Sequence, residues 1–192
     1  MRNNVKAMLL TLAAIPLISL LTAGKSPAAQ SRAEIRRGEY LVKLGGCSDC
    51  HTPKKMGPHG PVDDLDRFLS GHPESPKLPP PPAVDANSPW FASTAGMTAW
   101  SGPWGISYAA NLTPDQNTGL GIWTEEMFIK ALRTGKHFGV GRDILPPMPW
   151  ENYKHASEAD LKAIFAYLKS VKPVSNHVPD PQPPGGARNV YQ

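Results

Sequence analysis

Residues 45–53 read Gly45-Gly46-Cys47-Ser48-Asp49-Cys50-His51-Thr52-Pro53, and Cys47 and Cys50 are the only two cysteines among 192 residues. Cys-x-x-Cys-His is an attachment signature for c-type haem. Its spacing lays two thiols along one haem edge, where they form thioethers with the vinyl groups. The next residue delivers an imidazole to the iron. Other readings of a cysteine pair fit less well. A thiol–disulfide centre is expected after a thioredoxin-like strand, whereas a helical, Gly-terminated segment precedes Cys47. A structural zinc site needs two further ligands at metal spacing, and there is no second cysteine pair. The motif therefore points to one covalent haem c on Cys47 and Cys50, with His51 as an iron ligand.

The N-terminus agrees with this. Arg2 and Lys6 form a short basic region, and residues 7–24 (AMLLTLAAIPLISLLTAG) carry no charge. Small residues follow, with cleavage expected after Gly24 or within residues 26–29, the pattern of a secretory leader. An uncleaved anchor is the other reading, although 18 residues interrupted by Pro16 lie at the short end for crossing a bilayer. Residues 1–29 are thus expected to be a signal peptide or a short uncleaved anchor. In either case the rest of the chain is exported to the periplasm, where bacterial c-type haem centres are assembled. Membrane association is expected only if the segment is retained.

Removing this leader changes the charge. The whole chain carries 20 Lys and Arg against 16 Asp and Glu. Arg2, Lys6 and Lys25 precede Ala29 and no acidic residue does, which leaves 17 basic against 16 acidic residues. A charge so near zero gives no case for nucleic-acid binding.

The remaining 163 or so residues suffice for one domain with a core. Three stretches predict helix. Ser31 to Glu34 forms a capping box, followed by Ile35, Leu41 and Leu44 before Gly45-Gly46 stops the helix. Thr124 is an N-cap with Glu125 and Glu126 in the first turn, and Phe128, Ala131 and Leu132 form its core side. Ser157 opens a third helix in which Leu161, Ile164, Phe165 and Leu168 share one face, closed by Pro173. No comparable alternating strand pattern appears, so the chain reads as all-α with long irregular connections. The domain is expected over residues 30–175, with a Pro/Gly-rich tail over residues 176–192.

The stretch 52–110 holds 11 of the 22 prolines, including Pro79–Pro82, together with Trp90, Trp100 and Trp104. It reads as a long insertion that wraps rigidly over the haem edge, with polyproline II and partner docking as the alternative.

The iron also needs a sixth ligand, and Leu145-Pro146-Pro147-Met148-Pro149-Trp150 supplies the best candidate. Three prolines leave the backbone little freedom, so the Met148 thioether is presented at small ordering cost. Methionine opposite histidine raises the reduction potential, as suits an electron carrier. Met97 is the runner-up. Met56 lies too near the motif, and Met127 is on a helix where core packing is expected. His59, His72, His137, His155 and His177 lack a presenting context and read as surface residues. Asp115-Gln116-Asn117-Thr118-Gly119 resembles a calcium loop but lacks the distal glutamate, and reads as a turn.

These features resemble the class I c-type cytochrome superfamily, and more narrowly the monohaem modules found as cytochrome subunits of periplasmic dehydrogenases. The matching stretches are Arg37–Val42, Gly46–Pro53, Asn111–Asp115, Trp123–Gly135, Leu145–Pro149 and Ala166–Ser170. The resemblance implies a cytochrome c-like helical domain around one haem, His51/Met148 ligation, and packing of Gly38 across the last helix near Phe165 and Leu168. It also implies a hydrogen bond from the His51 imidazole to a proline carbonyl, with Pro61 and Pro58 as candidates. The insertion is longer than in small members of the superfamily, and many relatives carry two or three haems where this chain has one motif.

Two function classes follow. The first is a non-enzymatic electron carrier, free or as a subunit of a dehydrogenase complex, that passes single electrons from a donor oxidoreductase to an acceptor protein. The second is a haem enzyme or gas sensor with a labile sixth ligand. The presenting motif of Met148, and the absence of an evident distal acid–base set, favour the first.

Overall fold

The computed structural model describes residues 27–82, 84 and 87–184. The leader expected over residues 1–29 lies almost wholly outside them. Among the described residues no helix is long and apolar enough to cross a membrane.

The core is built on α5 (Glu158–Ser170). The Ser157 side chain accepts a hydrogen bond from the Asp160 backbone N–H at 3.0 Å, satisfying one of the unpaired donors of the first turn. Leu161, Ile164, Phe165 and Leu168 form its buried stripe. Helix α1 (Pro27–Leu44) packs across α5. It begins at Pro27, so the Ser31–Glu34 box lies inside the helix and does not cap it. The crossing is very close: a Cβ on Gly38 would lie 1.9 Å from the Ala163 carbonyl oxygen and 2.8 Å from the Tyr167 Cβ. The contact therefore falls on Ala163 and Tyr167, on a face beside the expected Phe165 and Leu168. Arg37 Nε donates to Asp160 at 2.9 Å across the same junction.

Helix α3 (Glu125–Thr134) is capped by Thr124, whose hydroxyl oxygen accepts from the Met127 N–H at 3.1 Å. Phe128, Ala131 and Leu132 are buried, with the Phe128 ring 5.3 Å from that of Phe165. Two short helices complete the set, α2 (Cys47–His51) and α4 (Trp150–Tyr153).

The chain is not all-α. Strands β1 (Lys54–Gly57) and β2 (Gly60–Asp63) form an antiparallel hairpin. Strands β3 (Ala92–Ser93), β4 (Ala99–Gly102) and β5 (Gly105–Tyr108) form a three-stranded antiparallel sheet in that order. The five α-helices of the described residues thus share the fold with two small sheets, both inside the stretch that reads as structureless. The reason is local. Prolines forbid helix by removing donors, but the backbone groups that remain must still be paired. Tight reversals, with Gly57 opposite Gly60 and Gly102 opposite Gly105, pair them across hairpins. Strands of two to four residues show no alternation to detect.

Within the insertion Pro79–Pro82 is solvent-exposed throughout. Trp90 is 79 % exposed, whereas Trp100 and Trp104 are partly buried, with Phe91 5.6 and 6.3 Å from their respective rings. The chain end adds to the same sheet: Gln182 and Ile106 exchange both backbone hydrogen bonds, at 2.8 and 2.9 Å. Asn176 is buried against the segment 70–74.

Candidate functional site

Cys47, Cys50 and His51 all lie on α2, a single helical stretch following the Gly45-Gly46 break. An i, i+3 spacing sets the two sulfurs on one side of the helix. Both thiols are free and partly buried. Burial pushes both thiols above their ordinary pKa, and Asp49 adds to the effect. For Cys47 the Tyr153 hydroxyl opposes the shift.

His51 is fixed from the far side of the ring. Its Nδ1 stands 2.7 Å from the Ala110 carbonyl oxygen. A carbonyl only accepts, so Nδ1 carries the proton and Nε2 keeps its lone pair. Burial lowers the imidazole pKa and the Ala110 carbonyl partly offsets it, so the ring is neutral, as metal binding requires. The acceptor is neither Pro61 nor Pro58, the candidates implied by the resemblance: both lie on the β2 hairpin or the turn leading into it.

The Ala109–Ala110 carbonyls are themselves held. The His72 N–H donates to Ala109 O at 2.8 Å, and the Ala109 N–H donates to Thr98 O at 2.9 Å. The Gly71 N–H donates to His51 O at 2.7 Å. Gly71 has φ +79°, and a Cβ there would lie 2.4 Å from Ala109 O, so glycine alone allows this approach. The Leu69 N–H donates to the buried Thr52 hydroxyl at 3.0 Å. Segment 69–72 is therefore stitched between α2 and the Ala110 acceptor.

Met148 lies in the loop between α3 and α4. It is partly buried and packs on the same apolar core as Cys47. That core comprises Val42, Leu69, Leu120, Phe128, Leu132 and the α5 stripe. Helix α4 ties this loop back to the turn before α2, because the Tyr153 hydroxyl donates to Gly45 O at 2.7 Å. Tyr153 sits close enough to Cys47 that burial and the thiol together raise its own pKa well above the ordinary phenol range.

The remaining candidates lie elsewhere. Met97 occupies a tight turn at φ +54°, with its N–H bonded to Thr94 O at 2.9 Å. Met56 is 80 % exposed, and Met127, expected in the core, is on the outer side of α3. His59, His155 and His177 are exposed and His137 is half-buried. His72, expected at the surface, is buried, pairs its Nδ1 with Thr98 Oγ1 at 2.9 Å and lies 4.9 Å from the Tyr108 ring.

The sequence gives no sign of Ala110 because a backbone carbonyl leaves no residue-type signature. Tyr153 leaves no sequence signal either, because its partner, the Gly45 carbonyl, lies 108 residues away in the chain. The residues present fit a c-type haem: two free thiols on one helical turn, a neutral imidazole with Nε2 available, and a methionine on the core that backs Cys47.

No family model matches the chain. It is 32 % identical over 160 residues to the fructose dehydrogenase cytochrome subunit of Gluconobacter japonicus, covering 83 % of this chain and 26 % of that protein. It is 30 % identical over 171 residues to the cytochrome c subunit of the quinone alcohol dehydrogenase of Gluconobacter oxydans, covering 88 % and 28 %. The gluconate 2-dehydrogenase cytochrome c subunit of Pantoea cypripedii is 29 % identical over 169 residues, covering 88 % and 30 %. The chain thus spans less than a third of the length of each of these relatives. Over more than four-fifths of its own length, this chain resembles the c-type cytochrome subunits of fructose, alcohol and gluconate dehydrogenases.

Proposed function

We propose that this chain is an electron-transfer cytochrome of the periplasm that would carry one covalent haem c on Cys47 and Cys50, with His51 and Met148 as the iron ligands. The haem, when bound, supplies one-electron chemistry between ferric and ferrous iron. Everything else is contributed by the protein. The Ala110 carbonyl orients the His51 ring and makes its Nε2 a better donor. The apolar core behind Cys47 and Met148 would keep water away, and a thioether ligand from Met148 would favour the reduced state.

The observation that carries this reading is the 2.7 Å contact between His51 Nδ1 and Ala110 O, which leaves only Nε2 of an already neutral imidazole for a ligand. Likeness to dehydrogenase cytochrome subunits supports a dehydrogenase as the donor, and the acceptor in this reading is a second redox protein. Residues 1–29 serve as the export leader, residues 30–175 as the haem domain, and residues 176–192 as a Pro/Gly-rich end laid partly along it.

Mass spectrometry of the exported protein after acid–acetone extraction tests the proposal. One haem is expected to stay with the polypeptide, and loss of all haem would refute covalent attachment. In the ferric protein, Met148→Ala is expected to abolish the weak red charge-transfer band of a methionine–iron bond. In the ferrous protein it is expected to admit carbon monoxide.

A further inference from the structure

The three-stranded sheet of the insertion reaches the methionine loop through one side chain, and we infer that Ser107 is a positioning residue for Met148. This rests on the reading of Met148 as the distal ligand. Ser107 lies on β5 and is 7 % exposed. Its Oγ stands 2.5 Å from the Pro146 carbonyl oxygen, and Trp104 Nε1 stands 3.2 Å from the same Oγ.

The direction of both bonds is forced. An indole N–H only donates and a carbonyl only accepts, so the hydroxyl accepts from Trp104 and gives its single proton to Pro146. The loop has few other means of attachment. Pro146, Pro147 and Pro149 have no N–H, and the one remaining donor, the Met148 N–H, already bonds Leu145 O at 3.3 Å. A segment so poor in donors is held to its neighbours through its carbonyls. Ser107 takes the carbonyl two residues before Met148.

The hydroxyl is itself firmly placed. Ser107 pairs with Trp100 in the β4–β5 register, and its neighbour Ile106 is bonded on the outer edge by Gln182. Trp104 packs beside Phe91, ring centroids 6.3 Å apart. The insertion therefore acts on the distal side of the site as a brace.

Imidazole titration of the ferric holoprotein tests this. Imidazole reaches the iron only in the fraction of molecules whose methionine has dissociated, so its apparent affinity reports that fraction. Loss of one neutral hydrogen bond is expected to raise the fraction about three- to tenfold. Ser107→Ala should therefore tighten imidazole binding about three- to tenfold and weaken the red charge-transfer band. Ser107→Thr, which keeps the hydroxyl, should restore both. Met148→Ala should tighten binding further, and adding Ser107→Ala to it should change nothing more.

If Ser107→Ala leaves affinity and band unchanged while Met148→Ala alters both, the positioning role is wrong and the distal ligand stands. If Met148→Ala alters neither, the distal-ligand reading fails and takes the inference with it. An equal effect of Ser107→Ala in the Met148→Ala background would show that Ser107 controls access to the iron, and would also overturn the inference. A lowered melting temperature with unchanged imidazole affinity would mark Ser107 as merely structural. Should the alanine variant fail to accumulate as holoprotein, Ser107→Cys, near in size and a weak donor, provides the same comparison.

Discussion

His51 and Ala110, 59 positions apart in the chain, meet at 2.7 Å through the imidazole Nδ1 and the backbone carbonyl oxygen. The distance between them is set by a third residue. Gly71 brings its own backbone against Ala109 and Ala110 while donating to His51 O.

Gly71→Ala should therefore disturb the imidazole as well as the fold. The added Cβ would lie 2.4 Å from Ala109 O and 2.5 Å from the Ala110 carbonyl carbon, at a φ of +79°. Left-handed strain alone costs about 1–2 kcal/mol, and displacement of Ala110 adds to it. The expected result is a lower melting temperature together with a changed reduction potential. A lower melting temperature at an unaltered potential would show that the Ala110 carbonyl does not tune His51.

Gly38→Ala tests the helix crossing. A methyl group 1.9 Å from Ala163 O cannot be accommodated unless α1 and α5 separate. Overpacking of this kind costs about 1–3 kcal/mol, readable as a lower urea midpoint at unchanged slope. Since the crossing lies away from α2, haem attachment should survive.

Asn176→Ala removes three bonds. Its Nδ2 donates to Ser70 O at 2.7 Å and to His72 O at 2.8 Å, and its Oδ1 accepts from the Glu74 N–H at 2.9 Å. At about 1 kcal/mol each, the loss is about 2–4 kcal/mol. Asn176→Asp should be at least as damaging in thermal melts, because a carboxylate would face two carbonyl oxygens with no donor between them. An aspartate variant as stable as wild type would exclude the two carbonyl contacts.

The buried His72 predicts a pH dependence. Burial lowers its pKa below the ordinary value of 6.5. The folded state therefore keeps the ring neutral while the unfolded chain takes up the proton first. This contribution to stability is complete above about pH 6.5 and is lost as the pH falls toward the folded-state pKa. Unfolding free energies of wild type and His72→Gln should converge on acidification below about pH 6.5. Parallel curves would show that His72 does not titrate on unfolding.

The helices were legible because their signals are local. Thr124 and Ser157 sit where a hydroxyl meets the free N–H groups of a first turn, and the apolar residues of α3 and α5 recur at helical spacing. The grouping of Cys47, Cys50 and His51 on one short helix depends on adjacent residues in the same way. The strands were not legible, because four-residue runs such as Gly60-Pro61-Val62-Asp63 and Gly105-Ile106-Ser107-Tyr108 are too short to carry a distinctive alternation and owe their form to their partners. The start of α1 was misplaced because Ser31-x-x-Glu34 satisfies a capping pattern equally well within a helix. His72 was read as a surface residue because its burial comes from Thr98 and Tyr108, each more than twenty residues away in the chain.

The clamp made by Asn176 has a consequence for the order in which the molecule is completed. Its contacts with Ser70 and His72 span 106 and 104 residues. A chain that emerges from its N-terminus presents Cys47, Cys50 and His51 long before Asn176 exists to draw the neighbouring backbone shut. In a chain exported N-terminus first, as proposed above, α2 would stay open to haem loading until Asn176 has followed it. Asn176 acts as the closing stitch, and a chain cut just before it would keep Cys47, Cys50, His51 and Met148 but leave the backbone beside the histidine unsecured.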